Sequence, residues 1–371
     1  MLAERYRDDG RAAMSLNALQ VKTKEAIQQK IKEGIYTFES VPCGICEGED
    51  FELLSQKDRY GLYVSAVVCK SCGLMQLNPR MTYNSYITFY KQDYHSLYKG
   101  VALPTEDYFL LQYLRGEKIY AYLNNNQVIP KHAQQLKVLE VGCGTGGILQ
   151  YFRNQGCQVK GLDLDEEYVN MGAGRFGLDL RVGTIEEAKF SEQFDIVIYS
   201  HVLEHIFSPA KELQAIQSVL APGGIFYVEV PGVKNILKSC NGKLLKHLQN
   251  AHLYYFSLTT LKRLMAASGF EWICGDEVIR SVFRRNQELS TDQDYENDYP
   301  DVMEYLQRLE KSGNAALPIQ RRIKVFLQQG IIKVLSLCKL DHTMRRMYWK
   351  AKLAYRFSPL IRRKIMRQKT D

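Results

Sequence analysis

Four cysteines stand in two pairs whose spacing is typical of a metal site. Two residues separate Cys43 from Cys46 and Cys69 from Cys72, and 22 residues lie between the pairs. Such pairs can hold one ion in a tetrahedral set of thiolates, which leaves no open position for catalysis. The spacing predicts a structural zinc site. A four-thiolate iron site and four buried thiols without metal remain alternatives.

A second group of candidate residues lies in the segment SHVLEHI. His201, Glu204 and His205 stand at positions i, i+3 and i+4, so they share one face if the segment begins a helix. A histidine here could take a proton from an acceptor, or HxxEH could bind a metal together with His252. In a third reading, Glu204 and His205 only bond to backbone and hold the wall of a pocket.

The segment VLEVGCGTGGILQYF carries a glycine loop between a strand-like run and an amphipathic run. Gly142, Gly144 and Gly147 match the dinucleotide pattern GxGxxG, while Gly142, Gly144 and Gly146 match GxGxG. Glycines let the backbone approach a ligand closely. Asp163 follows Gly142 by 21 residues, where a carboxylate can accept hydrogen bonds from ribose. The loop alone leaves NAD and other nucleoside cofactors open.

The elements around this loop predict an α/β fold. Strand-like runs at 137–141, 158–162, 194–199 and 225–230 alternate with helix-length intervals, which is typical of a parallel, doubly wound sheet. The predicted order is a helical extension (1–38), a zinc-binding module (39–80), a helical linker (81–125), the α/β domain (126–285), a linker (286–301) and a basic helical region (302–371). Thr105 is the predicted N-cap of the last linker helix.

Residues 136–274 resemble the class I S-adenosylmethionine (SAM) dependent methyltransferases. The resemblance is carried by LEVGCGTGG, GLDLDEE, GTIEEAKF, FDIVIYSHVLEHIFSP, LAPGGIFYVEVPG and HLYYFSLTTLKRLMAASGF. It favours SAM over NAD, because only the methyltransferase pattern includes the LAPGG turn. It implies a Rossmann-like sheet and an enzyme that transfers methyl groups.

The same resemblance implies roles for individual residues. Gly142, Gly144 and Gly146 would shape the cofactor turn, and Asp163 would bind ribose. Thr184 and Ile185 would lie against adenine, and Glu140 would orient the methionine end. His252 opens a segment that the family places over the substrate pocket, so it is the preferred base, and His201 is the preferred cofactor neighbour. A metal at HxxEH has a parallel in the ExxEH of plant small-RNA methyltransferases and ubiquinone-pathway O-methyltransferases, although the first ligand here is His.

The N-terminal segment ending in CKSCGLMQLNPR resembles that of bacterial methyltransferases that modify sugars or surface polysaccharides. Their C-methylating members share the layout, but the HGGS segment that follows their methyltransferase body is missing here. We therefore predict transfer to a hydroxyl of a saccharide or small molecule. A sugar C-methyltransferase, an RNA methyltransferase and a non-catalytic SAM-binding protein are the alternatives.

Composition and charge limit the remaining possibilities. The chain has 371 residues, a net charge of +8 and nine cysteines, and no apolar run long enough to span a bilayer. An odd cysteine count without a signal peptide predicts a reducing, cytoplasmic setting. Residues 319–371 hold 15 Lys and Arg against 2 Asp, a local charge of +13. This basic region could contact the inner membrane face. It could also pack on the rest of the chain or on a second subunit of a homodimer. Binding to nucleic acid is disfavoured, because no RNA-binding motif accompanies the charge.

Overall fold

The structure, a computed structural model, describes residues 1–98, 100, 103–130, 135–286 and 296–312. The described residues divide into two compact units, a larger one from 1–98, 100, 185–286 and 296–312 and a smaller one from 103–130 and 135–184. The predicted domain bounds stay a prediction. The basic region beyond Ser312, with its predicted membrane and subunit contacts, lies outside the described residues.

The smaller unit consists of alternating helices and strands. In chain order these are α4 (Glu106–Asn125), β6 (Lys137–Val141), α5 (Gly147–Asn154), β7 (Gln158–Asp163), α6 (Glu166–Phe176) and β8 (Asp179–Val182).

The larger unit begins with the cysteine-bearing region and a helical segment. Its elements before α4 are α1 (Ala18–Lys32), β1 (Phe38–Glu39), β2 (Phe51–Lys57), β3 (Tyr63–Cys69), β4 (Met75–Leu77), β5 (Arg80–Met81), α2 (Tyr83–Gln92) and α3 (Tyr94–Tyr98). Those after β8 are α7 (Ile185–Ala188), β9 (Phe194–Ser200), α8 (Pro209–Val219), β10 (Leu220–Glu229), α9 (Ile236–Ser239), α10 (Leu244–His247), β11 (Tyr254–Tyr255), α11 (Leu258–Ala267), β12 (Phe270–Gly275), β13 (Arg280–Arg285) and α12 (Tyr299–Ser312).

Three parallel strands form the sheet of the smaller unit. β7 pairs in parallel with β6 on one side and with β8 on the other. Thr105 caps α4 by accepting a hydrogen bond from the Tyr108 N–H, as predicted, and Asp165 caps α6 in the same way. The first predicted strand, 137–141, has the bounds of β6, because its hydrophobic run ends directly at the glycine turn.

The larger unit contains a parallel pair and a separate antiparallel sheet. β10 pairs in parallel with β9 and antiparallel with β13, which in turn pairs with β12. The antiparallel sheet has the strand order β11-β4-β3-β2, so a strand from late in the chain completes the cysteine-bearing module. The parallel strands and intervening helices of both units confirm the predicted α/β class.

Helix α12 packs on the antiparallel sheet. Its buried residues Val302 and Leu306 belong to one core with Leu54, Met75 and Tyr255. The helix begins at Tyr299, inside the predicted linker 286–301, because the preceding Asp298 is buried and accepts hydrogen bonds from Ser257 and Lys234. Among the described helices, none combines the length and apolar character needed to cross a bilayer.

A prediction for stability concerns Gly147, the third glycine of the GxGxxG reading. A Cβ there would lie 2.3 Å from the backbone oxygen of Phe109 in α4, so α4 and α5 could not keep their present packing. We expect Gly147→Ala to destabilise the fold by about 1–3 kcal/mol, measured by urea denaturation.

Gly174→Ala is the matched control, because a Cβ on this glycine of α6 would have no atom within 4 Å. It should leave stability unchanged or raise it by up to about 1 kcal/mol. Equal stability of Gly147→Ala and the natural sequence would contradict the packing argument.

Candidate functional site

The glycine loop is a tight turn that connects β6 to α5. Gly142, Gly144 and Gly146 all have left-handed backbone angles, with φ of 71°, 54° and 74°. A Cβ on Gly144 would lie 2.9 Å from the Tyr108 hydroxyl, and one on Gly146 would lie 2.6 Å from Leu178. The turn therefore requires glycine for both conformation and space, and Gly146 occupies the N-cap of α5.

Asp163, the predicted ribose ligand, lies at the end of β7 beside this turn. Its Oδ2 accepts a hydrogen bond from the Gly144 N–H at 2.6 Å, and its Oδ1 accepts one from the Asp165 N–H at 2.9 Å. The Gly183 N–H donates to the Asp163 backbone oxygen at 3.0 Å, and Thr184 follows directly. The residues predicted to bind ribose and adenine thus lie at neighbouring strand ends, with Ile185 opening α7.

Glu140 is a buried carboxyl group at the start of this loop. Its side chain is 2% exposed, and its Oε2 has no hydrogen-bond partner among the described residues. Burial raises its pKa well above the usual range, and the charge of Asp163 adds to this. A cationic ligand group beside this carboxyl group would favour its ionised form and offset the effect of burial. The loop glycines, Asp163 and Glu140 therefore fit a cofactor with an amino-acid end and a ribose, as SAM has.

His201 lies in a turn and not in a helix. Its φ is 60°, unusual for a residue other than glycine, and its N–H donates to the Glu229 backbone oxygen at 2.7 Å. A 3-10 turn then covers Leu203–His205, and the next helix begins at Pro209. The expectation that His201, Glu204 and His205 share a helix face is therefore wrong, because the backbone turns sharply at the end of β9.

The side chains of Glu204, His205 and His252 nevertheless converge. Glu204 Oε1 lies 3.9 Å from His205 Nε2, 3.8 Å from His252 Nε2 and 3.4 Å from His201 Nδ1. Glu204 is 1% exposed, and neither of its carboxylate oxygens has a hydrogen-bond partner in the described part of the chain. The candidate ligand atoms of Glu204, His205 and His252 all lie within 4.8 Å of one another, which is close enough to hold one metal ion.

The hydrogen bond of His205 fixes which of its nitrogens can act as a base. Its Nδ1 lies 2.8 Å from the Ala251 backbone oxygen, which can only accept, so Nδ1 carries the proton. Nε2 then presents its lone pair to Glu204. Burial lowers the pKa of His205 below its ordinary value, with the nearby charge of Glu204 opposing the shift. The ring is thus neutral at pH 7 and keeps 11% of its side chain exposed.

His252 is more enclosed than His205. It is 4% exposed, and its Nε2 contacts the side-chain amide of Gln249. Burial, followed by the neighbouring His205 and the charge of Arg59, lowers its pKa well below the ordinary value. Tyr86 donates to the backbone oxygens of His205 and Ala251, so it holds the two histidine-bearing segments together.

The four predicted metal cysteines come together in the larger unit. Cys43 Sγ lies 3.4 Å from Cys72 Sγ, and Cys46 Sγ lies 3.5 Å from Cys69 Sγ. All four are free thiols within 4.8 Å of one another, and Zn–S bonds of about 2.3 Å would place tetrahedral sulfurs about 3.8 Å apart. A hydrogen bond from Cys72 lowers the pKa of Cys43 to about 5, whereas burial and neighbouring charge raise that of Cys69 to about 11.

The cysteine cluster is connected to the His252 segment by strand pairing. In β11, Tyr254 pairs with Gln76 and Tyr255 with Met75 of β4. The Gln76 side chain accepts from the Gly44 N–H and donates to the Pro42 oxygen, on either side of Cys43. A Cβ on Gly44 would lie 2.5 Å from the Tyr254 ring. The cysteine loop thus packs directly on the strand that follows His252.

A family profile described as a methyltransferase domain matches residues 114–274. Among curated proteins, a ubiquinone biosynthesis O-methyltransferase of Bradyrhizobium sp. (strain ORS 278) is 35% identical over 98 residues, which are 25% of this chain and 39% of that protein. The protein of that name from Rhizobium etli (strain CIAT 652) is 27% identical over 199 residues, 50% of this chain and 79% of the relative. A third, from Brucella anthropi, is 32% identical over 124 residues, 32% of this chain and 50% of the relative.

Two solved structures of methyltransferases are similar to this chain. The 1,6-didemethyltoxoflavin-N1-methyltransferase of Burkholderia thailandensis is 17% identical with a TM-score of 0.41, over 64% of this chain and all of that one. A SAM-dependent methyltransferase of Clostridium acetobutylicum is 11% identical with a TM-score of 0.37, over 54% and 99%. With both scores below 0.5, these likenesses carry no argument for the site.

The match of residues 114–274 to a methyltransferase domain confirms the predicted enzyme class, and SAM stays the predicted cofactor. The chain spans only 39% and 50% of the length of the first two relatives, so their whole activity does not transfer with the domain. Their names come from ubiquinone biosynthesis and give no support to the predicted saccharide acceptor.

Sequence reasoning missed several residues that the structure brings to these sites. Tyr108 limits the space at Gly144, and Arg59 lies close enough to the histidine cluster to lower the pKa of His205. Gln249 precedes His252 by three residues and contacts its ring. None of these residues belongs to a motif. Only Gln249 could have been found from the sequence, because it stands three residues before the candidate base His252.

A prediction for cofactor binding follows from the position of Asp163, whose side chain accepts one hydrogen bond from the glycine loop and one from Asp165. Asp163→Ala should weaken SAM binding roughly 10- to 150-fold, because a charged acceptor for ribose is lost and the loop loses its anchor at Gly144. Calorimetric titration with SAM measures the change.

Asp179→Ala is the control, since this aspartate opens the neighbouring strand and pairs with Lys160 at the surface. It should bind SAM with normal affinity. Normal affinity in Asp163→Ala as well would show that β7 does not carry the ribose ligand.

Proposed function

We propose that the protein transfers the methyl group of SAM to a hydroxyl of a small molecule or saccharide, with His205 as general base. When bound, SAM supplies a methyl group on a sulfonium that is already a good leaving group. His205 Nε2 would take the proton of the acceptor oxygen as that oxygen gains the methyl group, with the carbon–sulfur bond breaking and the demethylated thioether leaving. The observation that carries the proposal is the convergence of Glu204, His205 and His252, with both carboxylate oxygens of Glu204 unpartnered among the described residues.

His205 is the better placed of the two candidate bases. Its Nδ1 bond to the Ala251 oxygen leaves a lone pair on Nε2, the atom that faces Glu204, whereas the Nε2 of His252 already contacts Gln249. The greater exposure of His205 supports access by an acceptor. Glu204 would stabilise the imidazolium that forms, and His252 would orient the acceptor hydroxyl. This changes the order of preference that the sequence suggested between the two histidines.

The names of the curated relatives support O-methylation of a small molecule, and the N-terminal resemblance supports a saccharide. A panel of phenols, catechols, sugar nucleotides, glycan fragments and RNA, assayed for S-adenosylhomocysteine release, compares these acceptor classes. The position of the new methyl group in the product separates O- from C-methylation. Tight SAM binding without turnover on any member would favour the non-catalytic alternative.

A divalent ion held by Glu204, His205 and His252 is a second candidate, because a carboxylate and two imidazoles within 4.8 Å are a common ligand set. In that case a chelator should abolish activity and added ion should restore it. His205→Ala and His252→Ala would then lose activity equally.

The prediction that tests the base uses the best acceptor found in the panel. His205→Ala should lower turnover roughly 10²- to 10⁴-fold and leave SAM affinity nearly unchanged. Because burial lowers the pKa of His205, the basic neutral form prevails at pH 7. Activity of the natural sequence should therefore be flat above pH 7 and should fall only below about 6.5, the ordinary histidine pKa.

Near-normal turnover in His205→Ala, with the same pH profile, would exclude it as the base. If both histidine variants only lose thermal stability, the residues form the wall of the pocket, as in the third reading of the sequence.

We also propose that Cys43, Cys46, Cys69 and Cys72 hold one zinc ion per chain. The spacing of the cysteines and the convergence of their sulfur atoms support this. Cys46→Ser should release the metal and unfold the cysteine module while SAM still binds, because structural zinc contributes folding free energy directly. It should also reduce methyl transfer, since β11 would lose the sheet on which it pairs.

Cys240→Ser is the control, because this half-buried thiol lies outside the cysteine cluster. Metal analysis of protein purified without chelator should give one zinc per chain, and iron would identify the alternative. Protein without either metal, yet with a folded module, would refute the site.

A further inference from the structure

Arg59, near the histidine cluster, is half-buried, and its Nε atom is fully buried. Arg59 Nε is buried without a hydrogen-bond acceptor, and among the described residues the guanidinium forms no ion pair. Its aromatic neighbours are Tyr60 and Tyr98, with the guanidinium carbon 5.5 Å from the centre of the first ring and 5.7 Å from that of the second. Burial of an unpaired charge is costly, so an anion that binds there would be stabilised.

The adjacent acid, Asp58, attracts Arg59 electrostatically but forms no ion pair with it within the described residues. Asp58 accepts hydrogen bonds from the backbone N–H groups of Tyr60 and Leu62 on one oxygen and of Asn250 on the other, at 2.8, 3.0 and 3.1 Å. Its carboxylate is thus occupied in shaping the turn that presents Arg59. Burial, in addition, raises the pKa of Asp58 to about 6.

Arg59 is placed next to the segment that leads into His252. Its backbone N–H donates to the Leu248 oxygen at 3.0 Å, and the Asp58–Asn250 bond continues this pairing. Its positive charge lowers the pKa of His247 and His252 further than burial alone does. His247 is buried, and its Nε2 also has no partner within the described residues.

A column of stacked rings runs from Arg59 to the histidine cluster. Tyr98 stacks on Tyr94 with ring centres 5.3 Å apart, and Tyr94 stacks on Tyr90 at 4.3 Å. Tyr90 and Tyr94 both contact the His205 ring edge-on at 5.8 Å. Through Tyr98 and Tyr94, this column connects the guanidinium group of Arg59 to the ring of His205 within the same compact unit.

We propose that Arg59 is the subsite for an oxyanion, a carboxylate or a phosphate, on the methyl acceptor. The histidine cluster presents acceptor atoms that suit a hydroxyl, whereas Arg59 presents a cation and an unused donor that suit an acceptor-only group. An acceptor with a hydroxyl at one end and an oxyanion at the other complements both. This inference rests on the proposed function, because it names the class of acceptor for that site.

The test measures anion binding directly and needs no turnover. The full-length protein is titrated by calorimetry with pyrophosphate, inorganic phosphate and 3,4-dihydroxybenzoate at constant ionic strength, with catechol as the uncharged counterpart of the benzoate. We expect at least one anion to bind, and Arg59→Gln to weaken it roughly ten-fold or more while Arg59→Lys retains part of the affinity. Preference between pyrophosphate and the benzoate tells phosphate from carboxylate.

Arg5→Gln is the matched control, because Arg5 also lies over a tyrosine ring, at 5.2 Å, but is paired with Glu310. It should bind the anions normally, and it reports any binding to the basic residues elsewhere in the chain. Should Arg59→Gln fail to fold, the Arg59→Lys titration and the thermal stabilisation of the natural protein by pyrophosphate over chloride decide the question. Absence of anion binding, or equal losses in Arg59→Gln and Arg5→Gln, would overturn the subsite.

The anion subsite and the proposed catalytic function can fail independently of each other. Anion binding at Arg59 without methyl transfer to any acceptor would leave this subsite intact and remove the catalytic proposal. Methyl transfer to catechol and 3,4-dihydroxybenzoate with equal KM, in both the natural protein and Arg59→Gln, would remove the subsite alone.

Discussion

The larger unit depends on a strand of two residues that joins segments far apart in sequence. Tyr254 and Tyr255 pair with β4 of the cysteine-bearing sheet, and the chain immediately before them carries His252. The Leu253 N–H donates to the Glu204 backbone oxygen at 2.9 Å, and its oxygen accepts from the Leu77 N–H at 3.0 Å. One residue therefore links the cysteine module to the histidine cluster through two backbone bonds. A displacement of the cysteine module would therefore move the backbone next to Glu204 and His252 directly.

The surroundings of Glu204 and of Arg59 in the larger unit differ in hydrogen-bonding character, and the proposed class of acceptor rests on this difference. Around Glu204 the unpartnered groups are acceptors, and around Arg59 they include a cationic donor. Unpaired buried polar groups reduce stability, so folding alone would not retain them. The presence of such groups at two places in one unit is explained if a bound acceptor molecule supplies their hydrogen-bond partners.

The sequence predicted the parts of the structure that follow from local pattern. β6 has its predicted bounds, Thr105 caps α4, and the four cysteines meet, because strand runs, caps and paired thiols are recognisable within a few residues. It failed at His201, where a left-handed turn replaces the expected helix and the backbone bond to Glu229 comes from a neighbouring strand.

Two other features depend on residues far apart in the chain. In the sequence, Arg59 belongs to no motif that would single it out. Its proposed role depends on its half-buried position beside residues 247–252. The pairing of β11 with β4 joins positions without shared motif or charge. Both are set by tertiary packing, which the periodicity of a single segment does not encode.

A neutral buried base suits a reaction whose methyl donor is already activated. Since the leaving group needs no help, most of the rate gain must come from holding donor and acceptor in line, and a base contributes a smaller factor. Lowering the pKa of His205 by burial sacrifices basicity but keeps the ring unprotonated, and the Ala251 bond keeps its lone pair in one direction. Orientation thus takes precedence over base strength here. The cysteine sheet, the tyrosine column and Tyr86 serve this orientation in the proposed mechanism. Each of them limits the movement of a residue that would contact the acceptor.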